Sequence, residues 1–408
     1  MKITLIEPGS PGFHVFSKYP IPRLGLPIIG TILHNQGHEV TILCEDIIQN
    51  NGGSIDWSSV FSSDLVGIST ITSTAPKAYA IADRVREKKI PVVMGGAHVT
   101  FLPDEALEHC DYVVRGEGEK TIVEFIEAFE DSTGSKAMSN ILGLSFKEGT
   151  KIRHNADRPL MTEKEFESQP FPDLTLIEGH EKIMLTPIMT SRGCPHRCKF
   201  CSVTPMFGRK YRRRSVESVI SEIKDKDPKP RQIFFYDDNF AADLRRSKRL
   251  LRRMKEEDLV IPWSAQIRTD ATKDGEFLSL SKETKCFLFQ IGMESINPDT
   301  LKDYHKLQDV KDIIQSNDVL KKFGIRAHGM FVLGSDSDDV QTIRDTVSFA
   351  KKHKIFTVQF LVLVPLPGTE TFRELDAANR IFTKDWSLYD GHHVVFEPNP
   401  EKMTVYQL

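Results

Sequence analysis

The stretch Thr190–Cys201, TSRGCPHRCKFC, sets three cysteines on one short segment, Cys194, Cys198 and Cys201, with three and then two residues between them. Thiolates at that spacing can converge on a single inorganic centre. A structural zinc site takes four ligands, commonly as two separated pairs. The nearest further donor here is His196, inside the loop and too constrained to complete a tetrahedron. Three thiolates suit a four-iron (4Fe-4S) cluster better, with three irons tied to protein and the fourth open to a substrate. The other three cysteines, Cys44, Cys110 and Cys286, lie scattered in apolar segments. Six cysteines so distributed fit reduced cofactor chemistry rather than a disulfide framework.

The residues on either side of the motif set the fold class. A strand-like run, Pro187–Thr190, leads into it. Behind it β-rich and helical stretches alternate: helix Val216–Lys224, strand Gln232–Tyr236, helix Leu244–Glu256, strand Trp263–Ile267, helix Gly275–Leu280, strand Phe287–Gly292, helix Val310–Phe323, strand Arg326–Leu333, helix Val340–His353 and strand Thr357–Val364. That makes six strands, short of the eight of a closed barrel, so residues 186–370 are expected to form a partial (βα)6 barrel of TIM type. The cysteines then follow its first strand, at the end where such folds carry their chemistry.

Ahead of this, residues 1–142 repeat the same alternation. Strands are expected at Lys2–Glu7, Glu39–Leu43, Leu65–Thr70, Pro91–Gly95 and Asp111–Val114, with helices at Leu26–Gln36, Ala75–Lys88 and Lys120–Glu130. This is the pattern of a Rossmann-like doubly wound parallel sheet, whose ligands bind beyond the carboxyl ends of the strands. The loops to watch are GSPGFH, STITST, GGAHVT and RGEGE. Residues 143–185 show no sustained period and read as a hairpin followed by a linker, and residues 371–408 as a short C-terminal segment. The chain is α/β throughout.

Composition narrows the function. In 408 residues, 54 Lys plus Arg oppose 57 Asp plus Glu for a net charge of −3, which argues against a nucleic-acid partner. No uncharged apolar run reaches the roughly 18 residues of a membrane span, and MKITLIEPGS lacks the features of a signal peptide, so the cytoplasm is the expected location.

The C-x-x-x-C-x-x-C motif after a first barrel strand, with aromatic Phe200 before the last cysteine, resembles the radical S-adenosylmethionine (radical SAM) superfamily. The resemblance implies that S-adenosylmethionine chelates the open iron and that an electron from an external donor such as flavodoxin or ferredoxin cleaves it to a 5′-deoxyadenosyl radical. It also assigns further residues. In FFYDDNF, Tyr236, Asp237 and Asp238 are candidates to meet the methionyl amino group, although Asp238 fits a helix N-cap equally well. Arg268 would pair with the S-adenosylmethionine carboxylate and Glu294, in IGMES, with the ribose hydroxyls. Leu333 and Pro365, in GMFVLG and LVPLPGT, would lie against the adenine. The basic run Arg209, Lys210, Arg212, Arg213 and Arg214 reads as a solvated helix approach, with a docking patch for an acidic electron donor as the alternative.

The loops GGAHVTFLPDEAL and DYVVRGEGEKTIVEF resemble those of cobalamin-binding domains fused in front of such barrels. By that resemblance Gly95, Gly96, Gly116 and Gly118 let the backbone approach the corrin, together with His98, Val99 and Glu117. Ser69, Thr70, Thr72 and Ser73 line the slot for the nucleotide tail. The better-known cobalamin domains ligate cobalt through the histidine of D-x-H-x-x-G. None of His14, His34, His38, His98 and His109 has an aspartate two positions before it, so cobalamin is expected without a histidine ligand.

Together these resemblances imply a cobalamin-dependent radical SAM methyltransferase acting on an unactivated sp3 carbon. The expected acceptor is a protein or peptide side chain, for example in methyl-coenzyme M reductase, because the segment after the last barrel strand is short where relatives usually carry a further region over the barrel mouth, and because the sequence offers no lipid-binding helix. The rivals are a cobalamin-dependent enzyme of ring closure or ring contraction, and a non-enzymatic cobalamin or iron–sulfur sensor. Tyr304, His305, His328, His392 and His393 are polar residues near the later strands, each more in keeping with a structural role than a catalytic one.

Overall fold

β1 (Lys2–Glu7), β2 (Glu39–Cys44), β3 (Leu65–Ser69), β4 (Val92–Gly95) and β5 (Tyr112–Val114) are short, nearly continuous apolar runs. Such runs belong to parallel sheets covered by helices on both faces. The structure, a computed structural model, describes residues 1–12, 21–131, 137–226 and 229–408, so His14 and the end of the GSPGFH loop lie outside the described residues. The five strands pair in parallel in the order β2-β1-β3-β4-β5. The order reverses between β1 and β3, so the crevice of this doubly wound sheet lies beyond Glu7 and Ser69. A hairpin, β6 (Leu144–Glu148) and β7 (Lys151–His154), adds two antiparallel strands to the β5 edge. Residues 1–184 and 385–387 make up this compact unit. Cys44 and Cys110 are buried within it.

The second unit comprises residues 185–384 and 388–408. Its sheet contains β8 (Thr186–Ile188), β11 (Ile233–Phe235), β12 (Trp263–Ile267), β13 (Cys286–Glu294), β14 (Arg326–Leu333) and β15 (Thr357–Val362), all parallel and in chain order. Six sequential parallel strands joined through helices give the partial barrel. The helix Leu244–Glu256 shows why: Leu250, Leu251 and Met254 bury one face, basic residues fill the other, and the Asp243 carboxylate caps its start by accepting from the Arg246 N–H at 3.1 Å. The core centres on Trp263, fully buried against Phe235, Phe240 and Phe289 with ring centroids 5.2–5.6 Å away; its Nε1 donates to Thr284 Oγ1 at 3.0 Å. Among the described residues no helix is long and apolar enough to cross a membrane.

One element has no counterpart in the sequence reading. Between β8 and β11, β9 (Ser191–Arg192) and β10 (Arg212–Arg213) form a two-stranded antiparallel ribbon, pairing Arg192 with Arg212 and Ser191 with Arg213. Residues 193–211, which carry all three cysteines, are thereby closed into a loop at the end of the first barrel strand.

Candidate active site

The neck of that loop is packed tightly. Gly193 has φ +86°, and a Cβ there would stand 2.6 Å from the Lys210 carbonyl oxygen, so only glycine fits. Inside the neck the Cys194 N–H donates to Gly208 O at 3.3 Å and the Cys201 N–H to Cys198 O at 3.1 Å. All three cysteines are free and partly accessible. Burial raises the Cys194 thiol and pushes that of Cys201 up to about 12, and the other cysteines of the loop and Asp238 act in the same direction. Thiols raised in this way, as those of Cys194 and Cys201 are, make poor nucleophiles as they stand and call for a cationic centre to hold them as thiolates. Among the described residues no three His, Cys, Asp or Glu side chains stand gathered as a metal-holding group. Phe200 packs edge-on against Tyr304 at 4.9 Å, and the Lys199 ammonium bridges Asp303 at 2.6 Å and Glu374 at 3.1 Å, which ties the outer side of the loop to two helices.

The two acids of FFYDDNF separate. Asp237 is fully buried and accepts from the Thr190 N–H (2.9 Å) and Oγ1 (2.9 Å) and from the Ser191 N–H (2.5 Å) and Oγ (2.8 Å). This corrects its assignment to the S-adenosylmethionine amino group: its acceptor sites are taken up in fixing the entry to the cysteine loop. Asp238 is solvent-accessible yet crowded by protein. Desolvation, then the charge of Asp237, push its carboxyl up to about 6, against the pull of Arg192. Nor is Asp238 an N-cap, since Asp243 fills that position. Tyr236 is half-buried, its N–H donating to Ile188 O at 2.8 Å.

The basic run is also corrected. Arg212 is buried and donates to Phe207 O at 2.8 Å, Arg213 pairs with Asp243 at 2.6 Å, and Arg214 pairs with buried Glu222. Arg212 and Arg214 fasten the ribbon from the interior and are not part of a solvated surface, whereas Arg209, Lys210 and, in part, Arg213 face solvent.

At the ends of β12 and β13 stand Arg268 and Glu294, both buried. An Arg268 Nη donates to Lys306 O at 2.5 Å, and the Lys306 ammonium lies 2.5 Å from Glu294 Oε1. Sequence reasoning passed over Lys306, which sits in a loop without period. Leu333 ends β14 and Pro365 follows β15; both are buried, and the Leu363 N–H donates to Leu333 O at 2.8 Å, which joins these two strand ends. Tyr304 is buried, His328 bonds Thr357 at 2.9 Å and His393 bonds Asp390, while His305 and His392 are exposed. A cavity of about 540 Å³ lies beside the cysteine loop, lined by Pro195, His196 and Arg197 on one side and by His305, Leu307 and Gln308 on another.

In the N-terminal unit, Thr70 is buried and donates from its N–H to Gly95 O at 2.9 Å. Gly96 has φ +103°, and a Cβ there would come within 2.3 Å of Thr70 O. The loops after β3 and β4 therefore touch backbone to backbone. Gly116, at φ +69°, faces open space, and Gly118 lies against Val114. Ser69 and Ser73 are partly accessible and Thr72 is buried. His98 lies two residues beyond Gly96. It is buried, Nε2 lies 3.3 Å from Glu105 Oε1, and Trp386 packs edge-on against its ring at 5.1 Å. Val99 is likewise buried, and Glu117 is buried and accepts from the Met161 N–H at 2.7 Å. Sequence reasoning also missed Glu7 and Arg23, an ion pair at 3.4 Å at the switch point of the sheet.

Residues 16–126 match the B12 binding domain family and residues 188–375 the Radical SAM superfamily. The chain is 34% identical over 380 residues to an uncharacterized methyltransferase of Pyrococcus horikoshii, covering 90% of this chain and 81% of that one. The chain belongs to the cobalamin-dependent radical SAM methyltransferases. It is 31% identical over 345 residues to the bacteriochlorophyllide d C-12(1)-methyltransferase of Chlorobaculum tepidum, covering 82% of this chain and 70% of that one. Its fold matches that of the radical SAM methyltransferase TsrM from Kitasatospora setae, solved with cobalamin and a [4Fe-4S] cluster, with a TM-score of 0.75 at 18% identity over 93% of this chain and 75% of that one. The cofactors of this family are the cluster, S-adenosylmethionine and cobalamin. The residues present fit them: three free thiols on one loop suit an open-iron cluster, and Gly116, at φ +69° with open space where a Cβ would stand, leaves bare backbone after β5 that a planar corrin can approach.

Proposed function

We propose that this radical SAM methyltransferase moves a methyl group to an unactivated, saturated carbon. The observation that carries this reading is the three-cysteine loop, closed by its ribbon on a six-stranded open barrel whose strand ends present Asp238, Arg268 and Glu294, in a chain that also holds a B12 binding domain. The name of the C. tepidum relative supports carbon as the acceptor. It also favours a small molecule over the protein or peptide side chain expected above.

When bound, the cluster and S-adenosylmethionine supply a radical that removes hydrogen, and cobalamin supplies the methyl group. The protein's own part is positional. Cys194, Cys198 and Cys201 hold the cluster and leave one iron open. Asp238, in its ionised form, accepts from the S-adenosylmethionine amino group, Arg268 donates to its carboxylate and Glu294 accepts from the ribose. Leu333 and Pro365 pack the adenine, and Phe200 and Tyr236 shape the loop and strand end beside it. In the N-terminal unit Gly95, Gly96, Gly116 and Gly118 admit the corrin, and Ser69, Thr70, Thr72 and Ser73 its tail. His98 is engaged by Glu105 and Trp386, so that loop would supply no histidine to bound cobalamin. The electron comes from an external flavodoxin- or ferredoxin-class protein.

Anaerobic turnover with reductant, S-adenosylmethionine, cobalamin and small-molecule or peptide fractions of the host tests this. The expected result is S-adenosylhomocysteine and 5′-deoxyadenosine in equal amounts, with one methyl group added to an extractable small molecule. 5′-Deoxyadenosine without S-adenosylhomocysteine would replace methyl transfer by ring closure or contraction, and neither product would leave the sensor reading. A methylated peptide with unchanged small molecules would restore the protein side chain as acceptor.

A further inference from the structure

The segment between the helices Pro298–Asp303 and Val310–Phe323 crosses the ends of β12 and β13. Its side chains alternate. His305 and Leu307 have φ of +53° and +52° and face outward, Leu307 being 81% exposed, whereas Lys306 between them is buried. Two left-handed excursions, on either side of Lys306, by residues with a Cβ are strained and persist only where the surroundings over-determine them.

The surroundings here are specific. The Lys306 ammonium lies 2.5 Å from Glu294 Oε1, and both side chains are 8% exposed. Glu294 itself has φ +61°. A Cβ on Gly292 would fall 2.4 Å from Glu294 Oε1 and 2.6 Å from Lys306 Nζ, so the ion pair is laid directly on bare backbone. The Lys306 carbonyl receives Arg268, and the Gln308 amide donates to Gly292 O at 3.1 Å and Met293 O at 3.0 Å. A glutamate held in a strained backbone conformation, aimed by a buried lysine and packed on a glycine, is far more constrained than its strand requires.

We infer that Lys306 is the positioning residue of the S-adenosylmethionine site: its ammonium fixes the Glu294 carboxylate in the orientation that receives the ribose, and its carbonyl holds the Arg268 guanidinium at the carboxylate end. This rests on the reading of Glu294 and Arg268 as S-adenosylmethionine contacts. Lys306 does not itself touch the cofactor. Because Glu294 has two carboxylate oxygens, pairing Oε1 with Lys306 leaves Oε2 to accept a ribose hydroxyl.

Equilibrium binding to the cluster-reconstituted protein separates the possibilities, with S-adenosylmethionine, 5′-methylthioadenosine (ribose, no carboxylate) and methionine (carboxylate, no ribose) as probes. K306M is expected to weaken S-adenosylmethionine and 5′-methylthioadenosine by about tenfold or more, the loss of one well-placed charged hydrogen bond, and methionine much less. K306R should recover most of that loss. The double variant K306M/E294Q should bind no worse than E294Q alone, because the two act as one unit. If E294Q binds S-adenosylmethionine as tightly as the unaltered protein, the assignment of Glu294 is wrong and the inference goes with it. If E294Q weakens binding while K306M leaves 5′-methylthioadenosine unchanged, the assignment stands and the role of Lys306 is refuted. Should K306M lose its cluster or its fold, K306Q read against K306R decides in the same way.

Discussion

Replacing Asp237 by alanine separates a scaffold residue from a cofactor contact. Two backbone N–H groups, of Thr190 and Ser191, have the Asp237 carboxylate as their acceptor in the interior. Each would be left unsatisfied at about 1–3 kcal/mol. Arg246, which bonds Thr190 Oγ1 and O and lies beside the same carboxylate, would lose its neighbouring negative charge. Breaking a buried charge pair costs about 3–5 kcal/mol, and with about 2–6 kcal/mol for the two N–H groups together the loss expected in all is about 5 kcal/mol or more. For a unit of this size, at about 2–4 °C per kcal/mol, the melting temperature should fall by about 10 °C or more. Asparagine keeps a carbonyl for the two N–H groups and offers its amide to Thr190 Oγ1, and should lose less than half as much. The measurements are thermal unfolding by circular dichroism at one scan rate, iron content after anaerobic reconstitution, and S-adenosylmethionine affinity. D237A is expected to be unstable and iron-poor, and D237N nearly stable and iron-replete with normal affinity. If D237A lies within about 1 kcal/mol of the unaltered protein with full iron, the scaffold role is wrong. If D237N stays stable and iron-replete but fails to bind S-adenosylmethionine, Asp237 is a cofactor contact after all.

Alanine at Cys194, Cys198 or Cys201 should each abolish the iron–sulfur absorbance near the visible edge; a variant that keeps a full cluster removes that cysteine from the ligand set. With the Asp238 carboxyl pushed up to about 6, it is protonated and loses its acceptor below that pH, so S-adenosylmethionine affinity should rise from pH 5 to 7, by at most about tenfold per unit. D238N should flatten the profile, and an unchanged slope in D238N would assign the titration elsewhere. Gly96→Ala places a Cβ within 2.3 Å of the Thr70 carbonyl at φ +103°. It should destabilise the N-terminal unit by about 3 kcal/mol or more and release cobalamin on gel filtration, and a G96A protein that keeps both its stability and its corrin would refute the backbone-contact argument.

How far these features could be read in advance depended on the range of the interactions that make them. The helix Leu244–Glu256 and the strands Trp263–Ile267 and Arg326–Leu333 have the limits expected from the sequence, because a cap residue or a dense β-branched and aromatic run is a local signal. The ribbon β9–β10 was not legible, since strands of two residues carry no period. Its partners are twenty residues apart and meet only because a glycine neck brings them together. Lys306 was missed for a related reason. It stands twelve residues after Glu294 in a loop without pattern, and only the tertiary path of that loop turns it inward.

The adjacent acids Asp237 and Asp238 show the remaining limit. In composition and position they carry one sequence signal, a pair of carboxylates after a strand. Successive side chains at a strand end point to opposite sides, so one acid enters the packed base of the cysteine loop and the other stays accessible, and their chemistry diverges. The same holds for the basic run, where charge density alone suggested a solvated surface, yet Arg212 and Arg214 are interior. Asp237 beside Arg246, Arg214 with Glu222, and Glu294 with Lys306 are all buried oppositely charged neighbours in the barrel unit. Such neighbours add little net stability, but losing one partner is heavily penalised. Their effect is to make any rearrangement of the cysteine loop or of the strand ends costly. A site that must generate and direct a radical needs that fixity of geometry more than it needs added stability.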